Sequence, residues 1–187
     1  EALIEGHLAD QVLAIRRLLD KRSDVVSIRR LFADVKENVA LLTRENFVCF
    51  DGLPYDYEAV KYRTTPGKAG NRTIWGETTG PNAWPFSERA HEQFDRLAGI
   101  DPSQRTREDR LPESLLEKIE IWLDDSDANG IVLWSHKHLA HAADAASRLK
   151  AQDVVLNRHK IEKSIKTLAR ATEGISSSLL YAGGRTN

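Results

Sequence analysis

Apolar residues near the start of the chain recur at intervals of three and four, which is the spacing of one stripe along a helix. The first stripe predicts a helix that ends near Lys21 and Arg22. Asp24 then suits the cap of a second helix, and together the two predict an antiparallel hairpin. The stripes consist of Ile4, Leu8, Val12, Ile15 and Leu19 in the first helix, and of Ile28, Phe32, Val35, Val39 and Leu42 in the second.

Helical signals return in the second half of the chain. Pro112 is well placed to open a helix, and Asn129-Gly130 should end or bend it. Residues 131–146 predict the next helix, and residues 154–181 predict the last, in which Gly174 would let a neighbouring backbone approach closely. The stripe of this last helix comprises Ile161, Ile165, Leu168, Thr172, Ile175 and Leu179.

Between these regions, Ser87 to Gly99 predicts one further helix, and no alternating strand pattern of useful length occurs. The prediction is therefore an all-α fold, a bundle of about five or six helices that forms a single domain over residues 1–187. Gly183-Gly184 ends the last helix, so residues 183–187 are predicted to be a flexible tail.

Residues 51–85 lack periodicity, and glycines alternate with prolines there, which predicts a long, irregular, loop-rich insertion. Such a length is unusual unless it is functional or is interrupted by a helix near Tyr57 to Tyr62. Its aromatic and basic residues could stack bases and meet phosphates; alternatively, the aromatics pin the loop to the domain. These residues are Tyr55, Tyr57, Tyr62, Trp75 and Trp84 with Lys61, Arg63, Lys68 and Arg72.

Composition limits the classes of function. Lys and Arg total 27 and Asp and Glu total 28, so a net charge of -1 provides no general attraction to nucleic acid or acidic lipid. The single cysteine, Cys49, cannot form an internal disulfide. No apolar run approaches the roughly 18 residues of a membrane span, and no export pattern opens the chain. The sequence therefore predicts a cytoplasmic protein that does not contact a membrane.

The stretch WSHKHLAHAAD, residues 134–144, contains three of the six histidines. At about 100° per residue, Lys137 and His141 lie roughly 40° apart on a helix, and His138 and His141 roughly 60° apart. These three side chains share one side of the helix, whereas His136 points elsewhere.

Three interpretations of this cluster stay open. In the first, His141 moves a proton and Lys137 stabilises phosphate charge during metal-free cleavage of RNA. In the second, His138, His141 and Asp144 contribute to a metal site, although the spacing matches no zinc signature. In the third, the histidines occupy a partly buried helix interface and are satisfied by neighbours such as Asp144.

The helical context and the segment SHKHLAH resemble the HEPN superfamily, in particular its abortive-infection branch. The motif of that family is an arginine, often followed by a polar residue, with a histidine five or six positions later. His141 matches the histidine, and the arginine position falls on Ser135 or His136. The resemblance implies a helical homodimer that cleaves RNA without metal or other cofactor in a phage-defence or toxin-like setting, with an antitoxin protein as a further partner.

The missing arginine leaves two functions open. A neutral serine cannot replace a guanidinium at phosphate, so a metal-independent ribonuclease would depend on other cations. The alternative is a non-catalytic scaffold of the same fold that binds RNA, a nucleotide or a protein. If the protein is a ribonuclease, the predicted catalytic residues are His141 and Lys137. The predicted binding residues are Ser135, His136, His138, Asp144 and Arg148.

Overall fold

The computed structural model describes residues 2–64, 79, 80, 82–138 and 156–180. Over these residues the protein has eight α-helices and no strand, and an isolated backbone bridge joins Thr43 to Arg110. The predicted all-α class is confirmed. The helices are α1 (Ala2–Leu18), α2 (Ile28–Glu37), α3 (Arg44–Cys49), α4 (Tyr57–Thr64), α5 (Trp84–Ala98), α6 (Glu113–Leu123), α7 (Ser126–His138) and α8 (Arg158–Glu173).

The chain divides into two compact units. Unit 1 comprises Glu1–Glu37 and Leu116–Ile175, and unit 2 comprises Asn38–Leu115 and Ser176–Asn187. The predicted single domain over 1–187 stays a prediction, and the predicted tail, 183–187, lies outside the described residues. None of the helices in the described ranges is long and apolar enough to cross a membrane.

Unit 1 is built on α1, α7 and α8, which pack against one another. The stripe predicted for α1 supplies Val12, Ile15 and Leu19 to the core, each at most 4% exposed. From α8 and the π-helical turn after it come Ile161, Leu168 and Ile175, also buried as predicted, whereas Ile165 stays partly exposed. Burial of these stripes stabilises the unit, since each fully buried aliphatic side chain contributes about 1.5–3 kcal/mol.

Helix α2 starts and ends differently from the prediction. The hydroxyl of Ser27, and not Asp24, accepts a hydrogen bond from the backbone N–H of Arg30 at 3.0 Å and so caps the first turn. The helix ends at Glu37, so Val39 and Leu42 do not extend its apolar face. Val39 lies in a short 3₁₀ turn and is 42% exposed.

The break between α6 and α7 also differs from the prediction. Asn129-Gly130 lies inside α7 rather than at the end of α6. The break falls at Asp124 and Asp125, because the Asp125 carboxylate accepts from the N–H of Ala128 at 3.0 Å and caps the new helix. A glycine costs a helix only about 1 kcal/mol relative to alanine, and burial of Ala128 and Ile131 offsets that cost.

Gly174, at the end of α8, lies close to α6, but the nearest atoms belong to side chains and not to the neighbouring backbone that the sequence predicted. A Cβ there would lie 3.2 Å from Cγ1 of Ile119 and 3.3 Å from the Trp122 ring. Since Ile119 is fully buried and cannot withdraw easily, we expect Gly174→Ala to lower the free energy of unfolding by about 1–2 kcal/mol.

Urea unfolding followed by circular dichroism measures this effect. The matched control is Gly6→Ala in α1, where a Cβ meets nothing within 4 Å. This control should be neutral or stabilising by up to about 1 kcal/mol, because alanine has the higher helix propensity. A stabilising Gly174→Ala would contradict the close contact with Ile119.

In unit 2, α3 and α4 both pack on α5. Thr43 caps α3 as its side chain accepts from the N–H of Asn46 at 3.3 Å, and Gly99 ends α5 in the left-handed conformation at φ 68°. The rings of Phe47 and Phe94 meet edge to face at 5.4 Å in the core. Partial burial raises the pKa of the neighbouring Cys49 thiol, which disfavours its reactive thiolate.

Two helices occupy part of the predicted loop-rich insertion. Helix α4 covers Tyr57–Thr64, where the sequence allowed a helix, and α5 begins at Trp84 with Pro85 in its first turn. The predicted start at Ser87 was therefore three residues late, because proline suits a first helical position. The part of the insertion at 65–78 lies outside the described residues.

Candidate functional site

Ser135 is buried inside unit 1. It lies in the last described turn of α7 and is fully shielded from solvent. Its hydroxyl donates to the backbone carbonyl of Val132, one helical turn earlier, at 2.8 Å. The side chain therefore faces the core and has a backbone partner, and its predicted role as a binding residue stays a prediction.

The three residues after Ser135 carry basic groups closer to solvent. His136 and His138 are exposed, and Lys137 is partly buried. The imidazole of His138 stacks on the indole of Trp134, one turn earlier, with ring centroids 4.7 Å apart and planes inclined by 23°. This contact restrains His138, and it fits the helical phase expected for residues four apart.

The remaining predicted site residues, His141, Asp144 and Arg148, lie outside the described residues. The arrangement of Lys137 and His141 on one side of the helix therefore stays a prediction, and so does a metal site that uses His138. Within the ranges that the structure describes, no group of three or more His, Cys, Asp or Glu side chains is placed to hold a metal ion.

Unit 2 contains a polar cleft of about 400 Å³ that the sequence did not single out as a site. We call it the arginine–tyrosine cleft. Cavities of this size hold small molecules or single nucleotides in many proteins. Its walls carry two arginines, two tyrosines, two carboxylates and an imidazole, from Arg105, Arg107, Tyr55, Tyr57, Asp56, Glu58 and His91.

Arg44, the first residue of α3, lies behind this cleft and is fully buried. Its Nη1 lies 2.7 Å from Oδ1 of Asp95, and its Nε lies 2.7 Å from Oδ2 of Asp109. The guanidinium also stands over the ring of Phe94 at 4.6 Å. Its Nη2 is buried and has no hydrogen-bond partner among the described residues. Two carboxylates thus compensate one buried cation.

Asp95 joins Arg44 to the cleft wall. Its Oδ2 accepts from Nη2 of Arg105 at 2.6 Å and its Oδ1 accepts from Nε at 3.3 Å, in the two-pronged geometry that suits a guanidinium and a carboxylate. Burial would raise the pKa of Asp95, but the hydrogen bonds from Arg105 and Arg44 hold it below its usual range. Arg105 also donates to the Tyr57 hydroxyl at 3.4 Å. The wall is therefore rigid and ionised.

His91, on α5, is held in one tautomer by its neighbours. It is 2% exposed, and its Nε2 donates to the carbonyl oxygen of Tyr55 at 2.9 Å. The unprotonated Nδ1 then faces Nη1 of Arg44 at 3.5 Å. Burial lowers the pKa of His91, and the nearby Arg105 and Arg44 act in the same direction. Both ring nitrogens have partners, so His91 is a structural, neutral imidazole and a poor candidate for proton transfer.

Acid is expected to destabilise unit 2 through His91. Because its pKa is below the ordinary 6.5 when folded, the unfolded chain takes up a proton at higher pH than the folded chain. The stability that the neutral ring contributes is complete above about pH 6.5 and is lost as the pH falls below that value. Asp95, whose pKa is lowered from 3.8, titrates below this window, and Arg105, whose pKa is raised, stays charged.

The measurement is the urea midpoint of wild type and His91→Gln at about pH 7.5 and about pH 5.5, on either side of the ordinary histidine pKa. Wild type should lose stability between the two conditions, and the variant, whose amide does not titrate, should lose less. An equal loss in both proteins would show that His91 is not a source of the acid sensitivity.

Arg107 differs from Arg105 in being open to solvent. Its guanidinium lies over the Tyr55 ring at 4.1 Å, and it forms an ion pair with Glu45 in which both side chains are 48% exposed. Backbone pairing fixes this segment, since the N–H of Glu45 donates to the carbonyl of Arg107 at 3.1 Å. The cleft thus presents an exposed cation whose orientation is set by an aromatic face.

Sequence reasoning missed most of this cleft. The connector from Asp101 to Arg110 gave only a polar signal, and the roles of its two arginines depend on distant partners. Two residues of the cleft did carry a signal in the sequence, because Tyr55 and Tyr57 belong to the aromatic residues that could stack on bases. In the structure both rings also pack against His91, at 4.8 and 5.5 Å, so they pin this segment to α5 as well as line the cleft.

The chain matches no protein-family model, no curated protein and no solved structure.

Proposed function

We propose that this protein is a HEPN-like, cytoplasmic homodimer that cleaves RNA without a metal ion, as part of a defence or toxin-like system with an antitoxin partner. The observation that carries the proposal is the last described turn of α7, which contains three consecutive basic residues, His136, Lys137 and His138. Two of these are exposed imidazoles, and one is stacked on Trp134. Such a surface suits contact with phosphate and base.

In the proposed reaction, His141 accepts the proton of the ribose 2′-hydroxyl, and that oxygen attacks the adjacent phosphorus. The bond from phosphorus to the 5′-oxygen breaks, the leaving oxygen takes a proton from water, and His141 gives up the proton that it accepted to the hydroxide that remains. Lys137 stabilises the negative charge that develops on the phosphate. The products are a 2′,3′-cyclic phosphate and a 5′-hydroxyl, so the chemistry balances without an added co-reactant.

The direct test incubates the purified full chain with end-labelled single-stranded RNA in the presence of a chelator. We expect cleavage fragments that end in a cyclic phosphate. Intact RNA at high protein concentration, under conditions in which a known metal-independent ribonuclease cuts, would contradict the proposal. Residual metal-dependent cutting that the chelator abolishes would contradict the metal-free mechanism.

A second function, a non-catalytic scaffold that binds RNA, a nucleotide or a protein, is favoured by the position of Ser135. In the resembling family an arginine holds this or the next position, whereas here the serine is buried and bonded to Val132. A buried hydroxyl cannot supply the charge of a guanidinium. In this case the same assay would show no fragments.

A further inference from the structure

We propose that the arginine–tyrosine cleft of unit 2 is a ribonucleotide-binding site that takes a phosphate, a ribose and a base together. The cleft would bind the RNA on which the proposed function acts. This inference rests on the proposed function for one point, namely that the nucleotide is part of an RNA and not a free nucleotide. It does not depend on cleavage.

The phosphate has a specific candidate partner in Arg107. Its side chain is half-exposed, so a ligand can reach it, and its ion pair with Glu45 is a surface pair worth about 1 kcal/mol or less. A phosphate can therefore displace Glu45 at little cost. Contact with the Tyr55 ring already orients the guanidinium, so less conformational entropy is lost on binding.

The two carboxylates of the cleft indicate what accompanies the phosphate. Asp56 and Glu58 are exposed in the same cleft as Arg107, and they would repel a simple inorganic anion. Carboxylates do accept hydrogen bonds from ribose hydroxyls and from base amino groups. One oxygen of Asp56 accepts from the N–H of Ala59 at 3.4 Å, which holds that carboxylate at the start of α4. The mixture of charges therefore suits a nucleotide better than free phosphate.

The remaining walls are rigid and offer planar surfaces. Arg105 is held on two sides, by Asp95 and by the Tyr57 hydroxyl, and His91 anchors the backbone of Tyr55. The tyrosine rings and the Arg107 guanidinium are the kinds of surface on which unpaired bases stack. Several groups with shifted pKa values surround this cavity, which is common at binding sites. The site is thus formed before the ligand arrives.

The test measures binding of a labelled hexauridine RNA to the full chain by fluorescence anisotropy, in chelator and at fixed salt. We expect Arg107→Gln to weaken binding by roughly tenfold, since a hydrogen-bonded charge pair is lost. The matched control is Arg30→Gln, which removes the same charge from another surface ion pair, with Asp34, in unit 1. This control should bind within about twofold of wild type.

Competition then separates the ligand classes. Uridine monophosphate should displace the RNA from wild type more effectively than inorganic phosphate does at the same concentration. Glu58→Gln should reduce the preference for the RNA over the matching DNA, because a neutral amide accepts from the 2′-hydroxyl less strongly than a carboxylate does. If RNA competes far better per nucleotide than the monophosphate, the source is RNA; equal competition indicates a free nucleotide, and both outcomes support the site.

Three results would overturn the inference: equal effects of Arg107→Gln and Arg30→Gln, equal competition by phosphate and the monophosphate, or no binding of either nucleotide probe to wild type. Failure of the proposed function is seen separately. If Arg107-dependent binding occurs and no RNA is cut, the site stands and the nuclease proposal fails. If RNA is cut and Arg107→Gln binds as wild type does, the nuclease proposal stands and this site is wrong.

Discussion

Replacement of His141 by alanine is expected to lower the rate of RNA cleavage by about two to four orders of magnitude, the usual contribution of a positioned general acid or base. The methyl side chain of alanine cannot take the proton from the 2′-hydroxyl, so attack on phosphorus would depend on solvent. Affinity for RNA should change little, because a group that acts by proton transfer contributes mainly to the transition state. Single-turnover cleavage in chelator, followed on end-labelled RNA, measures the rate.

The control for this prediction is His7→Ala, which removes an exposed imidazole from α1 and should leave the rate unchanged. Lys137→Gln provides a second comparison, since it should lower the cleavage rate through loss of phosphate stabilisation. Circular dichroism and thermal unfolding must show that each variant is folded. Unchanged cleavage by folded His141→Ala would exclude this imidazole as the proton-transfer group.

Replacement of Arg44 by methionine is expected to be the most destabilising single change considered, with a loss of about 3–5 kcal/mol in the free energy of unfolding. The methionine fits the volume of the arginine stem but removes the cation that lies 2.7 Å from Asp95 and from Asp109. Asp95 keeps its ion pair with Arg105, whereas Asp109 loses the cation that neutralises it. A buried carboxylate without a compensating charge is costly. The loss approaches the total stability of many small domains, so part of the variant should be unfolded at 37 °C, roughly body temperature.

Denaturant unfolding and the yield of soluble protein measure this effect. Arg30→Gln removes an arginine from an exposed pair and should cost less than about 1 kcal/mol. Addition of Asp109→Asn to Arg44→Met should recover part of the loss, because it removes the carboxylate that Arg44 neutralises. A loss below about 1 kcal/mol for Arg44→Met alone would show that the buried network does not hold unit 2 together.

Local rules predicted the elements in which the apolar pattern is long. The stripes in α1 and α8 depend on a repeat of three and four residues, and most of the side chains they select are buried. The end of α5 at Gly99 was also visible, since this cap acts within its own turn. The ends of α2 and α6 were wrong because local signals competed, and burial of Ala128 and Ile131 outweighed the helix-breaking tendency of Gly130.

The candidate chemistry on α7 followed from spacing alone, because residues one turn apart share a side of a helix. Spacing did not show that Ser135 faces the core, since that depends on how α7 packs against α1 and α8.

The sequence by itself determined the all-α class, the apolar stripes of the long helices and the basic cluster at the end of α7, because each arises from neighbours within a few residues. The arginine–tyrosine cleft and the buried ion pairs behind it could be seen only in the tertiary structure. Arg44, Asp95 and Asp109 lie far apart along the chain and become partners only when α3, α5 and the connector meet. From sequence alone, a single arginine is predicted to lie on the surface. Its burial becomes favourable only when two carboxylates lie close to it.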